Sequence, residues 1–188
     1  GSFAAGAGGT LNFGAGTQNV TLAAGKGFSG AGTIGFTGGT TTIGGAGTYN
    51  VTGTSNITNG TVNMNIASGA GDWTQSAGVL SGSAIVTVPS GKSYSWSGGA
   101  MSGTGQTVIA AGATLTISAG VSPQRQITVN GTGSWTAGRI DFNTGGVITN
   151  NGTFTTTADN GMENFSGTSS FNNAGTFIKS TATGASYA

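Results

Sequence analysis

The 188-residue chain has no cysteine, no histidine and two prolines. Charged residues make up 5% of it, five basic against four acidic, for a formal net charge of +1. Each shortage excludes something. Without cysteine there is no disulfide framework and no thiolate metal site. Without histidine or cysteine there is no imidazole-based triad and no thiol nucleophile. No apolar run approaches the roughly 18 residues of a membrane span, so no membrane span is expected. Five scattered basic residues form no patch, and nucleic acid is not an expected partner. Leu, Ile, Val and Phe together number 34, a share low enough to raise the question of disorder. Disorder, however, is driven by high net charge and few aromatics, whereas this chain is nearly neutral and carries 15 Phe, Tyr and Trp. A folded, thinly cored chain is the better reading.

What is present in quantity is glycine, 39 residues of it, together with Thr, Ser, Asn and a repeat. VITNNGTF (147–154) returns, partly rewritten, as SFNNAGTF (170–177). In looser form, an apolar residue, five small or polar residues and a second large residue, the motif recurs throughout. Its copies are LAAGKGF (22–28), IGGAGTY (43–49), IASGAGDW (66–73, one residue longer), VPSGKSY (88–94), IAAGATL (109–115), VNGTGSW (129–135), ITNNGTF (148–154) and FNNAGTF (171–177). The copies thus begin at positions 22, 43, 66, 88, 109, 129, 148 and 171, at nearly even intervals. A period of about 21 residues marks a solenoid. Alternation in segments such as TLTI (114–117) and IVTV (85–88) reads as short strands between Gly/Asn/Ser turns. A third apolar station follows each aromatic, at Ile34, Ile57, Leu80, Met101, Val121, Phe142 and Met162. Three inward stations per lap predict an all-β, parallel, roughly three-sided β-solenoid of about eight coils of ~21 residues, a rod on the order of 40 Å long. The whole chain, residues 1–188, is expected to be one solenoid domain, a segment of a longer protein or a stackable subunit. Phe28, Tyr49, Trp73, Tyr94, Leu115, Trp135, Phe154 and Phe177 are expected to form one interior column.

The GVITNNGTF (146–154) and SFNNAGTF (170–177) repeats, set in Gly/Thr/Asn-rich sequence, resemble those of secreted bacterial β-solenoid surface proteins, the filamentous-haemagglutinin-like adhesins and autotransporter passengers. The resemblance spans about residues 9 to 178. It implies a secreted or cell-surface stalk, adhesin, matrix or filament element that is not an enzyme, with extracellular polysaccharide or a cell surface as partner.

The residues offer little chemistry of their own. Of four carboxylates, Asp141 and Glu163 are about one lap apart, with Arg139 nearby. They are the only pair that a polysaccharide-active enzyme could use. GKGFSG (25–30) fits a phosphate-loop spacing but opens no helix. GGAGTYNVTG (44–53) lacks the acidic ligand of a Ca²⁺ nonapeptide. Seven Asn-x-Ser/Thr matches, including Asn19, Asn56, Asn130 and Asn151, follow from composition. Neither cofactor nor metal is expected. Trp96, on the same side of its strand as Tyr94, is expected in the core rather than on a sugar-stacking surface. One polar feature stands out. Small hydroxyl residues flank inward positions at Ser93/Ser95, Thr114/Thr116, Ser134/Thr136 and Thr153/Thr155, and alternation turns them outward. Stacked, they form a candidate binding face for ice or crystalline polysaccharide, against the plainer reading of cross-strand pairs on an exposed sheet. Open solenoid ends also leave strand edges unpaired, so end-to-end self-association is expected.

Overall fold

A computed structural model describes residues 1–157, 159–180 and 184. Among them the chain forms twenty-five short strands, all paired in parallel, and no helix. The strands line up on three faces. The first holds Phe3–Ala4, Gly27–Gly30, Thr48–Val51, Ile85–Val88, Gln106–Ile109, Gln126–Val129, Val147–Asn150 and Ser170–Asn173. Ser68 bridges Tyr49 below and Val86 above, which joins the two halves of this face. The second is an uninterrupted nine-strand sheet: Thr10–Phe13, Thr33–Phe36, Thr54–Ile57, Asp72–Gln75, Ser93–Trp96, Thr114–Ile117, Thr132–Trp135, Thr153–Thr156 and Thr176–Lys179. The third runs from Thr17–Leu22 to Ser122–Pro123 and continues, through the Val121–Ile140 bridge, to Ile140–Phe142 and Met162–Asn164. The parallel β-solenoid read from the sequence is therefore the fold.

The sequence explains the strands residue by residue. Short segments such as Thr114–Ile117 alternate half-exposed Thr with buried Leu115 and Ile117, the period of a half-buried strand. Corners need left-handed backbone. Gly39 and Gly60 (φ +64° and +71°) sit one above the other, and a Cβ on Gly60 would strike the Gly39 carbonyl. Only glycine serves there.

The spacing of motif copies has a physical cause that sequence did not reveal. The apolar-x₅-large motif marks a corner between two inward stations, and more than one of the three corners has that form. Copies 22–28 and 43–49 turn from the third face to the first. Copies from 88–94 onward turn from the first to the second. The longer copy 66–73 crosses the whole first face with Ser68 alone as its pairing residue. Lap length also varies. On the second face the laps from Thr54 to Asp72 and from Thr114 to Thr132 are shorter than all the others, such as Thr33 to Thr54 or Thr153 to Thr176.

The single column expected from the repeat is therefore corrected. Phe28 and Tyr49 stand on the first face. Trp73, Tyr94, Leu115, Phe154 and Phe177 share one column of the second. After the short lap ending at Thr132, Trp135 falls into the neighbouring column, level with Ile117, and Gly133 takes the expected place. Phe154 covers that gap, since a Cβ on Gly133 would run into its ring. The third stations split earlier, where the chain crosses the first face at Ser68: Ile34 and Ile57 are on the second face, while Leu80, Met101 and Phe142 are on the third.

The pile of rings runs without a break from Phe3 to Tyr94, and Leu115 and Gly133 separate it from Phe154. Phe3 stacks on Phe28 (4.7 Å between centroids), Phe28 on Tyr49 (5.2 Å), Tyr49 on Trp73 (5.9 Å) and Trp73 on Tyr94 (6.2 Å, 4° apart). It crosses from the first face to the second where Ser68 leaves room. Phe154 and Phe177 stack at 5.8 Å. All three tryptophans are buried, Trp96 completely, so it is a core residue and not a sugar platform. Three of the aromatic polar groups caught inside find partners: Tyr94 donates to Gln75 Oε1 (2.7 Å), Tyr49 and Ser55 hydroxyls meet at 2.7 Å, and Trp135 Nε1 donates to the Gly138 carbonyl (2.7 Å). Burial raises the pKa of both tyrosines.

Candidate functional site

The outward side of the second face carries the candidate site. Strand alternation there turns the first and third positions of most of the short strands outward and buries the second and fourth, as in Thr132–Trp135. In register, the first position makes a file: Thr10, Thr33, Thr54, Asp72, Ser93, Thr114, Thr132, Thr153 and Thr176. The third position makes a second: Asn12, Gly35, Asn56, Thr74, Ser95, Thr116, Ser134, Thr155 and Ile178. Rungs lie about 4.8 Å apart, so the first-file hydroxyls recur at that spacing.

Ser93, Thr114 and Thr153 occupy the first file, and Ser95, Thr116, Ser134 and Thr155 the second. Ser134 and Thr136 do not form a rung equivalent to Thr114 and Thr116. The short lap moves Ser134 into the second file and carries Thr136 past the strand end, where its hydroxyl donates to the Ile117 carbonyl (3.2 Å). Thr132 fills the vacated first-file place. Reasoning from the aromatics missed Thr132 and also Thr10, Thr33, Thr54 and Thr176. The available signal was threonine at the start of TLNF, TIGF, TSNI, TLTI, TGSW, TFTT and TFIK.

Asp72 interrupts the file with a charge clasp. Its carboxylate accepts from the Ser93 backbone N–H (2.8 Å), the Ser93 hydroxyl (3.1 Å) and Lys92 Nζ (3.2 Å), and Lys92 also donates to the Thr52 carbonyl (3.1 Å). Partial burial works to raise the Asp72 pKa, but the Ser93 and Lys92 hydrogen bonds outweigh it and hold the carboxyl below its ordinary value. Thr74 donates to Asn56 Oδ1 (2.7 Å) one rung below, locking the second file at that height.

On the third face, Asp141 and Glu163 are direct strand partners. Arg139 lies between them, paired through Nε with Asp141 and through Nη1 with Glu163 (3.1 Å), and its guanidinium packs over the Phe165 ring at 4.7 Å. The Asp141 hydrogen bond leads in raising the Arg139 pKa. An adjacent cavity of about 130 Å³ is lined by Phe142, Met162 and Phe171 among others. Among the described residues no group of three or more candidate metal ligands forms, and no helix is long and apolar enough to cross a membrane.

Comparison of the chain with protein-family models, with curated proteins and with solved structures gave no match.

Proposed function

We propose that the chain is a rigid structural or adhesive segment of a secreted bacterial protein, working outside the cell as a stalk, matrix or filament element. The observation that supports this reading is the nine-strand second sheet, in which Thr10 and Thr176 enclose eight laps without a break. Each lap hydrogen-bonds to its neighbours through three faces, so load along the axis is spread over every rung. A nearly neutral exterior leaves that stiffness insensitive to salt. Among the described residues Thr10–Phe13 and Thr176–Lys179 are the first and last strands of the second sheet, and the ends of a solenoid are where further strands can add. A second copy set end to end continues the sheet in register, with Thr10–Phe13 beside Thr176–Lys179, Leu11 against Phe177 and Phe3 against Phe171. Electron microscopy of the concentrated protein tests this: filaments of the rod's width are expected, and only dispersed particles about 40 Å long would reject self-stacking.

A second reading, of the same face as a binding surface, draws on a specific observation: seven threonines among the nine first-file positions. A regularly spaced hydroxyl file suits an ordered surface such as ice or crystalline polysaccharide. Thr114→Tyr with Thr132→Tyr puts two bulky rings on the strip without touching the core. Both ice shaping and retention on crystalline polysaccharide are expected to disappear, and an unchanged signal in an active protein would remove this face from consideration.

A further inference from the structure

We propose that Asn59 is a self-modification site, converting without an enzyme through a cyclic imide formed with Gly60. The chain has four Asn-Gly pairs, at 59–60, 130–131, 151–152 and 160–161. Two of them sit in comparable corners but are held differently. Gly152 N–H donates to the Val129 carbonyl (3.1 Å), and the Asn151 amide donates to Asn130 Oδ1 (2.8 Å), so both reacting groups of that pair, and the Asn130 side chain, are engaged one lap away. At the 59–60 corner the flanking amides are laddered, Thr58 to the Phe36 carbonyl (3.0 Å) and Thr61 to the Gly39 carbonyl (2.8 Å). The Gly60 N–H instead points at the Oδ1 of its own neighbour Asn59, 2.8 Å away. That contact sets the Gly60 nitrogen beside the Asn59 side-chain carbon, and Asn59 is exposed to water.

The step balances with water as its only co-reactant. The Gly60 nitrogen gives its proton to solvent base and bonds to Asn59 Cγ. The Cγ–Nδ2 bond breaks and ammonia leaves. Water then opens the imide. Cleavage at Cγ leaves aspartate in an ordinary backbone. Cleavage at the main-chain carbonyl carbon leaves isoaspartate, with an extra carbon in the chain path. The second product cannot be accommodated quietly. Gly39, Gly60 and Gly78 stack at this corner in left-handed conformations, with no room even for a Cβ on Gly60. Isoaspartate there separates Thr54–Ile57 from Thr61–Met64 by the wrong length and loosens both strands from their neighbours.

The test is incubation of the folded chain in heavy-oxygen water at mildly alkaline pH, followed by peptide mass mapping. Freeing the Gly152 amide means breaking a ladder hydrogen bond worth about 1 kcal/mol, so label is expected at residue 59 about fivefold faster than at 151. In denaturant the two rates are expected to converge. Equal labelling in the folded chain, or a preference that persists after unfolding, would overturn the proposal, the latter because local sequence rather than the corner would then be responsible. Asn59→Ser is expected to abolish label at this corner with an unchanged far-ultraviolet spectrum. Faster hydrogen exchange of residues 61–64 in the isoaspartate fraction is the expected mark of loosening, and unchanged exchange would refute that consequence.

Discussion

Arg125 is the residue least at ease in this fold. It is 3% exposed, and Nη2 donates to the Ala84 carbonyl (2.9 Å) while Nε and Nη1 have no partner in the structure. Burial brings its pKa down to about 10, with Tyr94 pulling the other way. A buried charge without a countercharge is destabilising. Arg125→Met keeps the length and removes the charge, and is expected to raise stability by roughly 1–3 kcal/mol in denaturant unfolding. A loss would mean that the Ala84 bond outweighs the desolvation. Trp135 is the opposite case, 1% exposed and fully hydrogen-bonded. Trp135→Asp removes the ring and buries an unpaired carboxylate, so cooperative unfolding is expected to vanish, whereas Thr155→Ser on the outer file should change stability by no more than about 0.5 kcal/mol.

At the scale of the element, the Asp72–Gln75 strand and the corner before Ser93–Trp96 are tied together by the Asp72 clasp. The native carboxyl titrates below its unfolded value. The clasp therefore contributes fully above the ordinary carboxylate pKa, about 3.8, and its contribution is lost as pH falls through the lower native value. The Lys92 and Asp72 side chains are each about one-third exposed, so solvent screening keeps the ion pair itself small. Asp72→Asn is expected to cost about 0.5–1 kcal/mol at neutral pH and nothing in strong acid. A pH series of unfolding midpoints for the two proteins checks this. Strand existence was easy to read from TLTI or IVTV. Strand placement was not, because a corner between the first and second faces and one between the third and first leave the same apolar interval in the sequence. Trp135 shows the consequence: its spacing from Val129 is regular, yet the shorter lap before it moves it one column sideways.

The whole molecule is quasi-one-dimensional, each lap touching chiefly the next, while Lys92 and Arg125 reach carbonyls two laps away. Stability of such a chain is close to a sum of lap and interface contributions, and among the described residues the first and last laps each pack against one neighbouring lap. Native-state hydrogen exchange is expected to be slowest in the middle rungs, Asp72–Gln75 through Thr114–Ile117, and fastest at Thr10–Phe13 and Thr176–Lys179, where Phe3, Leu11, Phe171 and Phe177 are only partly buried. Uniform protection along the rod would show instead a single all-or-none unit.

By itself the sequence determined the class of this protein. Period-two alternation, glycine at corners and a nearly constant lap leave a parallel solenoid as the arrangement that buries so few large residues. It also placed Asp141 beside Glu163, because a separation of one lap is a local count. Only the tertiary structure decided which face each corner motif turns onto, that Ser68 alone carries the chain across a whole face, and that the hydroxyl file runs through Thr132 rather than Thr136. Those outcomes depend on lap length, which is set by hydrogen-bond register with the rung below, and register between distant segments is not written in any one of them.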